Sequence, residues 1–305
     1  MNAAATASLS VRNVGVVGTG AMGGGVVRAL VRAGVATFAR DIRPEAEAAA
    51  VRDGASPCAS PAELARACDA LILLVVDAEQ IERVLFAGDG AAAAMAPSAI
   101  VVISSTVDPG YPASLVPRLA ERGIALLDAP VSGGPAKAAA GTMTMMVSGD
   151  GTALARMRPV LERITGKLFA LGPRAGDAST FKIVNNLLAA ANLAAAAEAM
   201  ALAVRAGLDP RRVVEVINAS SGGSWMFSDR MPRVLNADFA PRAAVKLLAK
   251  DVAIAAALAE RLGADATFAR DALATFVDAV QAGYAEDDDA AVVKRALEKG
   301  SASPS

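Results

Sequence analysis

The chain contains no histidine and only two cysteines, Cys58 and Cys68, among its 305 residues. Aromatic residues make up 4%, with a single tryptophan, Trp225. Formal net charge is −1. Each shortage excludes something. Without histidine and with two cysteines, the usual Cys/His metal sites cannot be built, and a disulfide framework is not expected. Cys58 and Cys68 read instead as reduced, partly buried thiols. A catalytic acid or base would have to be Lys, Asp, Glu, Tyr or Cys. A balanced charge gives no electrostatic argument for nucleic acid or for an anionic membrane surface as a partner.

What is present is apolar: 54% hydrophobic residues against 20% charged. This is the composition of a soluble globular protein, and the length suggests two domains. The first residues carry no basic start followed by a long apolar run, so no signal peptide is expected. The Ala-rich stretch 187–204 comes nearest to a membrane span, but Asn192 and Glu198 interrupt it. A cytoplasmic location is the expectation. Residues 1–10 and 301–305 read as disordered ends.

Residues 11–175 alternate strand and helix patterns. Strands are predicted at 14–18, 36–41, 70–76, 99–104, 124–130 and 143–149. Helical patterns lie between them at 21–33, 44–52, 61–67, 79–95, 111–122 and 152–164. The strand runs are apolar without alternation, as in parallel sheets covered on both faces. After 175 only helices are predicted. The first covers 178–206, followed by 210–219, 224–235, 241–262, 265–283 and 288–298. The expected fold is therefore an α/β doubly wound N-terminal domain of Rossmann type, then an all-α domain over 176–300.

"VGVVGTGAMGGG" follows the first strand directly. Gly18, Gly20 and Gly23 form G-x-G-x-x-G, with Thr19, Ala21 and Met22 between them. Such a loop allows a tight turn, a close approach of backbone to pyrophosphate, and an anion at a helix N-terminus. Asp41 ends the second strand, 18 residues beyond Gly23. A carboxylate there suits an adenosine ribose and favours NAD over NADP. Arg40 and Arg43 flank it and soften that preference. Ser132, Gly133 and Gly134 follow a later strand, where a hydroxyl and backbone N–H groups could hold a carboxylate. Ser105 and Thr106 end another strand at the same edge. On the long helix, Lys182, Asn185 and Asn186 share one face; spacing alone also allows that face to be simply solvated. "EDDDA" at 286–290 reads as a solvated helix start, not a cation site.

Taken together, "GTGAMGGG", "DAPVSGG", "GDASTFKIVNN" and Lys250–Asp251 resemble the β-hydroxyacid dehydrogenases, relatives of 6-phosphogluconate dehydrogenase. These motifs span nearly the whole chain in the family's order. Further stretches, "SSGGSWMFSDRMPRVLNADF" among them, resemble the family's L-threonate dehydrogenase branch. That branch usually has His-Gln in place of Asn185–Asn186, and glycine in place of Ala178. The Asn-Asn pair is more typical of 3-hydroxyisobutyrate and tartronate semialdehyde enzymes.

The resemblance implies NAD-dependent hydride transfer from a small hydroxy acid, with Lys182 as general acid/base in an interdomain cleft. It implies Ser132, Gly133 and Gly134 on the substrate carboxylate, and Asn186 with Asn185 on its hydroxyls. Val76 and Thr106 would line the nicotinamide end of the cofactor, and Lys250 would reach its carboxamide. No metal is implied. Ser224 and Trp225 are further polar candidates, equally readable as a helix cap and a packed aromatic. A homodimer or homotetramer through the helical domain is expected, because that domain is Ala-rich and weakly charged. A non-catalytic NAD-binding sensor on the same fold would need no Lys182.

Overall fold

The computed structural model describes residues 11–299; the ends expected to be disordered lie outside the described residues. The described chain separates into two compact units, one up to Lys182 and one from Ile183 onward.

The first unit is built on strands β1 (Asn13–Val17), β2 (Ala36–Arg40), β3 (Ser56–Pro57), β4 (Ala70–Leu73), β5 (Ile100–Ile103), β6 (Ala125–Asp128), β7 (Val131–Ser132), β8 (Met143–Gly149) and β9 (Thr165–Ala170). Its helices are α1 (Ala21–Arg32), α2 (Pro44–Arg52), α3 (Pro61–Ala67), α4 (Ala78–Phe86), α5 (Gly110–Ala120), α6 (Gly134–Ala140) and α7 (Gly151–Ile164). The sheet order is β3-β2-β1-β4-β5-β6-β8-β7, with β9 beside β8. The pairs from β3 through β6 are parallel. This is the strand order of a Rossmann fold, which reverses direction between β1 and β4.

The apolar runs explain the layering. Successive strand residues point to opposite faces. In β4, Ala70 and Ile72 enter one core with Val14, Val16, Val26 and Leu30. Leu71 and Leu73 enter the other with Val17, Leu64, Ile81 and Leu115. Cys58 and Cys68 are buried free thiols on that second side. Burial, with smaller contributions from Cys58 and Asp69, pushes the Cys68 thiol up to about 12.

Four elements were not anticipated. β3 and β7 have two residues each, too short for a pattern. The helix α6 starts at the end of the Ser132–Gly134 turn, after which no helix was expected before β8. β9 is largely exposed, so it lacks the apolar run that marked the other strands. The helix expected over 79–95 stops at Phe86; Gly88, Asp89 and Gly90 intervene before a 3₁₀ turn at Ala91–Ala93.

The second unit is helical. α8 (Asp177–Arg205) begins within the first unit and continues into the second. It is followed by α9 (Pro210–Asn218), α10 (Trp225–Leu235), α11 (Val245–Arg261), α12 (Thr267–Ala279) and α13 (Ala291–Glu298). The end of the expected helix 265–283 becomes a π-turn at Val280–Tyr284, where Gly283 has φ +96°. By length and composition α8 could cross a bilayer. One side of it, Ala190, Leu193, Ala197 and Met200, instead meets Phe227, Met231, Val252 and Phe276 in the second unit's core.

The acidic run 286–290 is not a solvated helix start. Asp288 and Asp289 are buried. Asp289 accepts two parallel bonds from the Arg230 guanidinium, at 2.5 and 2.9 Å. Asp288 accepts from Arg233 at 3.2 Å and from the Arg242 backbone N–H at 3.0 Å. The arginines lie 46 to 59 positions away in sequence, so a local reading of the acidic run could not find them.

Candidate active site

The glycine loop leaves β1 at Gly18, whose φ is +86°. A Cβ at Gly18 would lie 2.5 Å from the Leu74 carbonyl oxygen, and one at Gly23 only 1.8 Å from that of Gly18. Both positions therefore demand glycine. α1 starts at Ala21 with Gly20 as its N-cap and no side chain capping it. The first N–H groups of α1 lack a side-chain cap, in the arrangement that receives a pyrophosphate. The chemistry of this cradle fits a dinucleotide.

Asp41, directly after β2, closes on the loop. Its Oδ2 accepts from the Thr19 N–H at 2.7 Å, and its Oδ1 accepts from the Arg43 N–H at 2.9 Å and Nε at 3.3 Å. Burial alone would raise its pKa, but the bonds from Arg43 and Thr19 outweigh it and hold the carboxyl below the usual aspartate range. Asp41 thus shapes the loop as well as facing its edge. Arg43 lies over Gly20, where an added Cβ would come within 2.9 Å of its Nη2.

Val76 follows β4 by three residues and is exposed; Thr106 follows β5 by three and is half-buried. Ser105 donates to the Leu73 carbonyl at 3.3 Å and ties the two strand ends together. Ser132 ends β7, and Gly133 and Gly134 take φ of +130° and +76° into α6. α6 packs directly on α1: a Cβ at Gly25 would lie 2.6 Å from that of Ala138. Gly25 is one turn into α1 and Ala138 one turn into α6, so this contact ties the glycine loop to the Ser-Gly-Gly turn. Sequence reasoning quoted Gly25 without giving it this role.

Lys182 lies in the second turn of α8 and is 8% exposed. The start of α8 rests on Asp128, the last residue of β6. Asp128 accepts the Gly176 N–H at 3.0 Å, the Ser179 N–H at 2.8 Å and the Ser179 hydroxyl at 2.6 Å. Burial pushes the Asp128 carboxyl above its usual range, and its bonds from Ser179, Gly176 and Ser148 restrain that rise.

In the second unit, three expected residues form one network. Asn186 Nδ2 donates to Asp251 Oδ2 at 2.6 Å, Lys250 Nζ donates to Asp251 Oδ1 at 2.8 Å, and Asn185 Nδ2 donates to Asn186 Oδ1 at 3.0 Å. Asn186 and Asp251 are buried, while Asn185 is exposed. Asp251 was visible in the Lys250–Asp251 pair but had been given no task. Ser224 caps α10 by accepting the Phe227 N–H at 3.1 Å. Trp225 is 59% exposed, so it is not a core residue.

Residues 13–172 match the NAD-binding domain of 6-phosphogluconate dehydrogenase, and residues 176–296 match the NAD-binding region of NADP-dependent 3-hydroxyisobutyrate dehydrogenase. The chain belongs to the β-hydroxyacid dehydrogenase family. It is 47% identical to an L-threonate dehydrogenase of Cupriavidus necator, over 93% of this chain and 95% of that one. It is 41% identical to an L-threonate dehydrogenase of Escherichia coli K12, over 92% of this chain and 94% of that one. A crystal structure described as 3-hydroxyisobutyrate dehydrogenase from Salmonella typhimurium superposes with a TM-score of 0.87 at 42% identity, covering 93% of this chain and 99% of that one. The enzyme is an NAD-dependent oxidoreductase acting on a small hydroxy acid.

Proposed function

We propose that the enzyme oxidises L-threonate at C2 to the 2-oxo acid, with Lys182 as the general base. The observation that carries the chemistry is Lys182 itself, a nearly buried amine on a helix whose start is fixed by Asp128. The substrate rests on the relatives, of which five L-threonate dehydrogenases share 38–47% identity with it. Asn185–Asn186, where that branch has His-Gln, favours a 3-hydroxyisobutyrate or tartronate semialdehyde type of substrate as the second reading.

In the oxidative direction the C2 hydroxyl gives its proton to the neutral amine of Lys182. NAD, when bound, would supply the hydride acceptor, so that C2 becomes a carbonyl. The proton on Lys182 then passes to water. The Ser132 hydroxyl and the N–H groups of Gly133 and Gly134 hold the substrate carboxylate. Asn186, and Asn185 beside it, orient the remaining hydroxyls. The glycine loop from Gly18 to Gly23 takes the pyrophosphate and Asp41 the adenosine side. Val76, Thr106 and Lys250 serve the nicotinamide end.

The domain from residue 176 would also carry subunit contacts. Phe181, Val184, Leu188 and Leu202 are exposed along α8, a stripe suited to a homodimer or homotetramer. Light scattering that finds only a monomer defeats this assembly. A cytoplasmic enzyme without nucleic-acid or membrane partners is the matching location.

Lys182→Ala tests the mechanism. Loss of about 10³-fold in kcat with NADH binding retained is the expected result, the scale of general-base catalysis. Unchanged turnover would defeat Lys182 as the general base, and NAD binding without turnover by the unaltered protein would favour a non-catalytic NAD-binding sensor. NAD reduction assayed with L-threonate, erythronate, 3-hydroxyisobutyrate and glycerate ranks the substrates. Activity confined to 3-hydroxyisobutyrate would transfer the assignment to the second reading.

A further inference from the structure

We propose that Asp128, acting through Ser148 and Ser179, is the positioning residue that sets where Lys182 stands. The proposal rests on the reading of Lys182 as general base. Its argument begins with the start of α8. The first N–H groups of any helix have no partner within the helix. Here the sheet supplies partners for several of them. Gly176 and Ser179 donate their N–H groups to Asp128 Oδ2, at 3.0 and 2.8 Å. Ala178 donates its N–H to Ser148 Oγ at 3.0 Å, and Ser148 Oγ–H closes onto Asp128 Oδ2 at 3.4 Å. The Ser179 hydroxyl donates to Asp128 Oδ1 at 2.6 Å. Asp128 and Ser148 are 0% exposed and Ser179 is 1% exposed.

Asp128 and Ser148 face each other in the antiparallel β6–β8 register. The oxygens that seat the helix are therefore carried by paired strands of the central sheet, not by a loop. The approach to the helix is also fixed. Gly176 has φ +101°, and a Cβ there would lie 2.2 Å from the Pro109 carbonyl oxygen. Ser179 is thus held at both its backbone and its hydroxyl. Lys182 follows three residues later on the same helical face. Fixing Ser179 fixes both the height of Lys182 along the helix and its direction around it.

The chain that leaves β6 serves the other side of the reaction. Ser132 lies four residues beyond Asp128, past the end of β6. Asp128 thus bonds the start of the helix that carries Lys182 and ends the strand that leads to the turn assigned to the carboxylate. Loss of its bonds would let α8 shift against that turn. Misplacement of a reacting group by about 1 Å can cost about 10²-fold in rate. The effect belongs in kcat, because neither the pyrophosphate loop nor the carboxylate turn loses a donor.

The test compares Ser179→Ala, Asp128→Asn and Lys182→Ala in the full-length enzyme, using the hydroxy acid that the wild type turns over best. Measured quantities are kcat, substrate KM, NADH affinity by calorimetry, and the folded fraction. Ser179→Ala and Asp128→Asn are expected to lower kcat per folded molecule by about 10- to 100-fold, with KM and NADH affinity within about threefold of wild type. Wild-type kcat in folded Ser179→Ala protein would overturn the proposal, even if its melting temperature fell, because that is what a purely structural bond predicts. Ser179→Ala decides the matter if Asp128→Asn does not fold. If Lys182→Ala is inactive while the other two turn over normally, the positioning proposal alone fails. If Lys182→Ala stays active, the general-base reading fails and takes the proposal with it.

Discussion

Both units bury carboxylates, and they satisfy them in different ways. In the unit that ends at Lys182, the hydrogen bonds to Asp128 come from backbone N–H groups and serine hydroxyls. In the helical unit, Asp288 and Asp289 are met by the guanidinium groups of Arg233 and Arg230. Four neutral donors on three residues make a directional seat for a helix start. A guanidinium fork makes a strong paired link between segments distant in sequence. Asp251 stands between the two kinds, since it accepts from one lysine and one amide. The difference teaches that burial of a carboxylate does not define its task; the donors around it do.

The sharpest way to break the comparison is Arg230→Ala. It leaves Asp289 buried without its fork, and removing one partner of a buried pair costs about 3–5 kcal/mol. Thermal or urea unfolding should show a loss of that size; a change near zero would mean that the fork does not hold the helical unit. Next comes Asp251→Ala, which takes the shared acceptor from Asn186 and Lys250. A drop of about tenfold in kcat/KM, or about 1.4 kcal/mol, is expected, with little change in melting temperature. If stability falls and kcat/KM does not, Asp251 belongs with Asp289 as a structural link.

The smallest effect is the pH dependence of two carboxylates in the first unit. Asp41 is held below the ordinary value of 3.8. Its stabilisation is present above that value and is lost as pH falls through the lowered one. The stability gap between wild type and Asp41→Asn should therefore close under acid. Asp128 is raised above 3.8, so its contribution is full at low pH and is lost as pH rises through the raised value. The gap for Asp128→Asn should move in the opposite direction. Unfolding measured between about pH 3 and 7 would separate the two, and parallel curves would contradict the assigned directions.

Much of this could be read before the structure, for reasons particular to each element. The parallel strands β1, β4 and β5 announced themselves because they are buried on both faces and so, apart from Asn13, lack polar residues. The glycine loop was legible because two of its glycines are sterically obligatory. The candidate site residues Lys182, Asn186 and Lys250 emerged through the family resemblance, since spacing alone left the helix face open. What stayed hidden depends on partners far along the chain. Asp128 finds Ser179 51 residues later, and Arg230 finds Asp289 59 residues later. No window of local sequence contains either pair. β9 was missed because an exposed strand carries no apolar run.

The contact of Gly25 with Ala138 has a consequence for how this enzyme can change. One helix begins at the loop assigned to the cofactor and the other at the turn assigned to the substrate, and they touch where Gly25 has no room for a methyl group. Thickening α1 at that point would displace α6 although no residue assigned to a ligand is replaced. Affinity for the two reactants is therefore not independently adjustable through this helix pair. A substitution that relaxes one is transmitted to the other, and Gly25 restricts the routes by which this scaffold can drift toward a new substrate while keeping its cofactor.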